Sequence, residues 1–207
     1  MKKYCVLMIL PLLAWGIATQ AQELVQGTRR GSIGLNGSVS AGGDVKQSQL
    51  GFGFQGEFGI TDNFSVELAT STFSDDITVE GLKYRQDLTT IGLSGLFRLP
   101  ITEIFNVHLL GGIDYNLINA NMDGAVMIGN RGYAFKTNVN DTFGGHLGAG
   151  VGFRLANNIE LFTEYRFTMM NPTGNIAAEV DGTSYRRSID GSYNFGLFKL
   201  GLNYLFY

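Results

Sequence analysis

Cysteine is all but missing from this chain: Cys5 is the single one among 207 residues. No internal disulfide and no thiolate metal cluster can therefore form. Charged residues make up only 16%, against roughly 25% in an average soluble protein. No block of like charge and no basic stripe occurs, which excludes a nucleic-acid surface and any nucleic-acid partner. Beyond the first twenty residues, no stretch approaches the ~20 apolar residues of a membrane helix. The runs of Ala, Leu, Glu and Lys that build helical domains are absent as well. Proline occurs three times, so long extended segments go largely uninterrupted.

What is present is 29 Gly, 15 Phe and 9 Tyr. So much apolar surface does not belong to a disordered tail. The first residues stand apart. Lys2 and Lys3 precede an uncharged run, Cys5 to Ile17, and Thr19-Gln20-Ala21 fits a small-x-Ala cleavage site. This predicts a secretory signal peptide over residues 1–21, since the run is too short to span a bilayer and Pro11 and Gly16 interrupt it. Cys5 lies too near the start to be a lipoprotein acceptor. Removing the leader takes away both the cysteine and the lone Trp15, and lowers the formal net charge from −3 to −5. One domain, residues 22–207, remains.

That domain alternates. Ile33, Leu35 and Val39 interleave with Ser32, Gly34, Asn36, Ser38 and Ser40. Leu50, Phe52, Phe54 and Phe58 interleave with Gly51, Gly53, Gln55 and Glu57. The same period of two recurs around Phe64–Ala69, Ile91–Leu99, Phe105–Leu117, Phe143–Leu155, Ile159–Thr168 and Phe198–Phe206. Repeated over segments of about ten residues, it predicts an all-β fold, an eight-stranded antiparallel up-and-down barrel. The connections alternate too. Short ones lie at 61–63, 100–104 and 156–158. Longer ones lie at 74–86, 119–141 and 169–192, and the first, 41–48, is intermediate. Short turns on one rim and long loops on the other are the mark of a barrel that spans a bacterial outer membrane.

Alternation alone does not say which face points inward, because a soluble barrel alternates as well. Export, directional loop lengths, aromatics near strand ends and the placement of glycine favour lipid on the apolar side. If Leu155 faces Ile159, Arg154 meets Glu160 in a salt bridge. Gly152 then meets Phe162, Gly150 meets Glu164, and Gly148 meets Arg166. Small residues across from large ones are how a narrow interior is filled. The interior charges expected to form a structural ionic network are Glu57, Glu67, Arg98, Asp114, His146, Arg154, Glu160, Glu164, Arg166 and Lys199, with His108 beside them. Buried ions must be paired, so the lumen reads as plugged rather than as a wide channel.

Chemistry finds little support. The two histidines are the only candidate bases. Asp114 and His146 fall at similar heights on neighbouring strands, but alternation places no nucleophile beside them. The G-x-G strings, such as Gly51-Phe52-Gly53, sit inside strands and have no nucleotide-binding value. No metal-ligand spacing occurs. The expectation is no enzyme, no cofactor and no metal.

The segment from Asn158 to Phe167, NIELFTEYRF, with inward Glu and Arg, and the ending LGLNYLF from Leu200 to Phe206, resemble the last two strands of the OmpA-transmembrane-domain and OmpX-like outer-membrane β-barrel family. The resemblance covers nearly the whole mature chain. It implies a bacterial outer membrane location, contact with membrane lipid and lipopolysaccharide, and a C-terminal pattern (Leu202, Tyr204, Phe206) read by the barrel-assembly machinery. Here Tyr207 follows the usual terminal Phe. No peptidoglycan-binding domain follows, so a cell-wall anchoring role is not implied. Three roles stay open: a structural or surface-interaction protein acting through its external loops, a narrow solute or ion pathway, and a lipid A-modifying enzyme built around His146.

Overall fold

The computed structural model describes residues 30–44, 48–79, 82–128, 131–180 and 183–207. The leader expected over 1–21 lies outside the described residues. Among the described residues every element is a β-strand: β1 (Gly31–Ala41), β2 (Leu50–Gly59), β3 (Phe64–Val79), β4 (Leu82–Pro100), β5 (Phe105–Ile128), β6 (Arg131–Val139), β7 (Thr142–Ala156), β8 (Ile159–Met170), β9 (Thr173–Val180), β10 (Thr183–Asp190) and β11 (Tyr193–Phe206). Among the described residues no helix is long and apolar enough to cross a membrane; strands do the crossing.

Eight of the strands form the barrel. β1 to β5 pair in sequence, β5 pairs with β7, β7 with β8 and β8 with β11, and β11 closes on β1 from Gly31↔Phe206 to Ala41↔Gly196. Closure leaves no bare edge at membrane height, which a bilayer requires of a sheet. The alternation in the sequence is the alternation in space. Leu35, Phe54, Ile113, Leu147 and Leu200 point outward and are exposed, while Asn36, Gln55, Asp114, His146 and Lys199 point inward and are buried. For a sheet in lipid this arrangement places apolar surface against apolar solvent.

The long connections are not loops. Residues 74–86 continue β3 and β4 as one hairpin, paired from Phe64↔Phe97 to Val79↔Leu82. Residues 119–141 hold the upper half of β5 and all of β6, and residues 169–192 hold β9 and β10. β6 and β9 pair with each other, giving a second sheet in the order β10-β9-β6-β5 above the barrel. Residues 185–188 of β10 are exposed one after another, so no apolar side alternates with a polar one there and the period-two signal vanishes.

Candidate functional site

The inward side chains stack in three tiers along the barrel axis. The lowest lies near the short turns. Arg98 of β4 forks onto Glu57 of β2, 2.6 Å to Oε1 and 3.1 Å to Oε2. Ser65 and Ser32 donate to the same carboxylate at 2.7 and 3.2 Å. Arg98 Nε donates to Asn106 Oδ1, Asn106 donates to Glu160 at 2.8 Å, and Asn203 donates to the other oxygen of Glu160 at 3.4 Å. Gln55 donates to Asn203 at 3.0 Å and so returns the ring to β2. The result is a closed belt through β2, β4, β5, β8 and β11. Each fork on a buried carboxylate replaces water it has lost.

Arg154 behaves differently from expectation. It stands opposite Glu160 in register, but a bulge between Arg154 and Ala156 breaks the hairpin there. Its guanidinium lies over the ring of Tyr207, 5.8 Å from the centroid, and its Nε has no hydrogen-bond partner. A rim cation–π contact holds the guanidinium at this end of the barrel.

The middle tier centres on Arg166. It bonds Glu164 on its own strand β8 and reaches across the lumen to Glu67 of β3 at 2.6 Å. His108 Nε2 lies 3.3 Å from the second oxygen of Glu164. Lys199 is buried and lines a water-sized space together with Asp114 and Arg166. Of the glycines expected to make room, Gly148 does so for the expected residue, a Cβ there lying 3.1 Å from Arg166 Cγ. Gly150 makes room for the His108 ring and Gly152 for Asn106, 2.6 Å from its Nδ2, while Phe162 is accommodated by Gly201, where a Cβ would lie 2.6 Å from the ring.

Above Arg166, His146 Nδ1 lies 2.9 Å from Asp114 Oδ1 and its Nε2 lies 2.9 Å from Ser94 Oγ. This is a Ser–His–Asp array, and Ser94 is the member that sequence reasoning missed. The signal lay in Gly112. In register it stands between Ser94 of β4 and His146 of β7, and on the neighbouring strand a Cβ on Gly92 would lie 3.4 Å from His146 Cε1. The array is sealed: Ser94, His146 and Asp114 are each no more than 3% exposed. A nucleophile needs an approach for its electrophile as well as a base, and the space beside Asp114, lined by Thr90, Gly92, Arg166 and Lys199, is water-sized.

The top tier is apolar, which the expectation of an ionic lumen did not include. Phe73, Leu88, Ile118, Met170, Phe195 and Leu197 pack into one buried cluster across β3, β4, β5, β8 and β11, joined by Val139 and Tyr193. Counting by twos from Glu67, Arg98, Asp114, Arg166 and Lys199 puts all six inside, so strict parity from each inward charge would have found them. The cluster caps the polar tiers on the side of the tall hairpins. The C-terminal residues Leu202, Tyr204 and Phe206 all face outward, and the rings of Tyr204 and Phe206 meet edge to face at 5.3 Å.

Comparison with known proteins agrees with this geometry. The family model described as outer membrane protein beta-barrel domain matches residues 7–206. Among solved structures, OprG from Pseudomonas aeruginosa superposes with a TM-score of 0.67 at 15% identity, covering 89% of this chain and 100% of the other. Neisserial surface protein A gives 0.62 at 11%, over 87% and 100%. A major outer membrane protein from Thermus thermophilus gives 0.57 at 13%, over 85% and 99%. At these identities the likeness is one of fold. No curated protein sequence matches the chain.

Proposed function

The chain belongs to the outer membrane protein β-barrel domain family, and from that premise we propose that it is a structural and surface-interaction protein of a bacterial outer membrane, acting through the strands that rise above its barrel. It reaches that membrane with a leader, residues 1–21, that is cleaved on export. Its outward apolar band sits in membrane lipid and lipopolysaccharide. The outward row Leu202, Tyr204 and Phe206 is what the barrel-assembly machinery reads.

One observation carries this reading. The interior is occupied tier by tier, and an apolar cluster caps it, while β5, β6, β9 and β10 build a second sheet outside the barrel. Material invested in the lumen leaves no room for a solute. Material invested above the rim presents surface, and binding tends to reside on segments held up by a rigid scaffold. The Ser94–His146–Asp114 array serves in this reading as a staple across β4, β5 and β7, and the protein is not an enzyme.

The test is deletion of residues 174–189, which removes the β9–β10 hairpin and leaves the barrel strands. Cells displaying the full chain bind a surface partner or substratum and cells displaying the shortened chain do not, with heat-modifiable gel mobility unchanged in both. Equal binding by the two, or current through planar bilayers from the full chain, refutes the reading.

A further inference from the structure

Two small spaces interrupt the packed lumen, and each lies where one tier gives way to the next. The lower one is lined by Glu57, Arg98 and Glu160 of the belt and by Glu67, His108 and Glu164 of the middle tier. The upper one is lined by Arg166 and Lys199 of the middle tier and by Asp114 of the Ser–His–Asp array, with Ser71, Thr90 and Thr168 around them. Each has room for about one water.

Each space also borders a residue with an unpaired buried atom. His108 Nε2 lies 3.3 Å from Glu164 Oε2. That carboxylate places the ring proton on Nε2 and leaves Nδ1 as an acceptor, and Nδ1 is buried without a hydrogen-bond partner. Asp114 gives Oδ1 to His146 at 2.9 Å, while its Oδ2 is buried without a partner as well. A buried acceptor without a donor is costly. Native interiors meet that cost with ordered water where the space is polar and wide enough, and both conditions hold here. Donors are at hand. Lys199 carries three N–H groups and no acceptor, and the Arg98 guanidinium has five N–H groups, of which three go to Glu57 and Asn106. A metal ion fits less well, since among the described residues no three His, Cys, Asp or Glu side chains converge to hold one.

We propose that the lumen binds two single waters, one on each side of Arg166, and that they join its polar tiers into one hydrogen-bonded column. The lower water accepts from Arg98 and donates to His108 Nδ1, tying the belt to the middle tier. The upper water accepts from Lys199 and donates to Asp114 Oδ2, tying the middle tier to the array. The column ends beneath the apolar cap, because Phe195 and Leu197 of that cluster line the upper space. Its wet end is the short-turn rim, where the Arg98 side chain is 12% exposed.

The test is X-ray radiolysis of the protein in lipid nanodiscs made up in 18O-water, followed by mass spectrometry. Hydroxyl radicals formed from a bound water label the side chain beside it even when bulk water is excluded. Phe162 lines the lower space and Phe195 the upper one, and each is only 2% exposed. Phe73, as deeply buried in the cap, lines neither. Two bound waters predict 18O labelling of Phe162 and Phe195 about tenfold faster than of Phe73. Ala69→Val puts two methyl groups into the upper space, which Ala69 lines; labelling of Phe195 then falls about tenfold and that of Phe162 stays. Heat-modifiable mobility confirms that A69V is folded, and if it is not, the parent protein alone decides. Phe162 and Phe195 labelled no faster than Phe73 overturn the proposal, as does labelling of only one of the two. Phe73 labelled as fast as Phe195 overturns it too, since bulk water would then be entering through the cap. Undiminished labelling of Phe195 in folded A69V removes the upper site and with it the column.

Discussion

Replacing Arg166 by Met isolates the energy of the middle tier. Arg166 is 4% exposed in its side chain and holds two carboxylates, Glu67 of β3 and Glu164 of β8, that are each 1% exposed. Methionine keeps much of the stem volume but leaves both acids without their main partner. Breaking a buried pair by removing one side costs about 3–5 kcal/mol. Lys199, buried in the same interior beside Arg166, supplies a second cation, so the lower end of that range, about 3 kcal/mol, is expected. At a denaturant slope near 2 kcal/mol per molar in urea, the unfolding midpoint falls by about 1.5 M. The same argument predicts a rescue. R166M/E67Q/E164Q removes the stranded charges together with the cation, and a neutral replacement of a buried ion pair is often no less stable than the original. Urea titration of the protein in detergent micelles, followed by circular dichroism and by heat-modifiable gel mobility, reads both values. An R166M midpoint equal to that of the parent, or a triple variant no better than the single one, refutes the account of the middle tier as a charge network that needs its centre.

Other outcomes follow from single features. Glu164→Ala destabilises less than R166M, because Arg166 retains Glu67 at 2.6 Å; a larger midpoint shift in E164A would contradict the geometry. Gly152→Leu costs about 1–3 kcal/mol or more by overpacking against Asn106 and Glu160, while Gly37→Ala, where an added Cβ meets nothing within 4 Å, is neutral or stabilising by a few tenths of a kcal/mol; paired melting curves decide. Ile113→Arg, on the exposed outer face of β5, costs about 2–4 kcal/mol in a bilayer, measurable as a lower folding yield into lipid vesicles. A fluorophosphonate probe leaves folded protein unlabelled, and S94A loses stability of about 1 kcal/mol with the hydrogen bond to His146; labelling at Ser94 that S94A abolishes would revive the enzyme reading.

Much of this architecture is legible in the sequence. Period two in eight segments, with an apolar and a polar side to each, dictates strands with one face in each environment, and short and long connections in turn dictate which rim is which. The pairing of Arg154 with Glu160, and of the glycines with Phe162, Glu164 and Arg166, is legible in the sequence, but Ile159 pairs with Ala156 and not with the expected Leu155, because a bulge intervenes. Those conclusions depend on near neighbours along one or two strands, where residue type and spacing suffice.

The remaining features depend on closure. Whether Arg98 forks onto Glu57 or another acid, and whether Arg166 spans the lumen to Glu67, depends on strands 41 and 99 residues apart in sequence. Ser94 meets His146 across a third strand, with Gly112 between them in register. Phe73, Leu88, Ile118, Met170, Phe195 and Leu197 read separately as ordinary strand residues and become a cap only when five strands bring them to one height. The tall hairpins carry no clear alternation in sequence, and their pairing into a second sheet is a tertiary fact. A sequence fixes which face each residue takes, since that is local geometry; which residues meet across the lumen was decided by the way the sheet closes on itself.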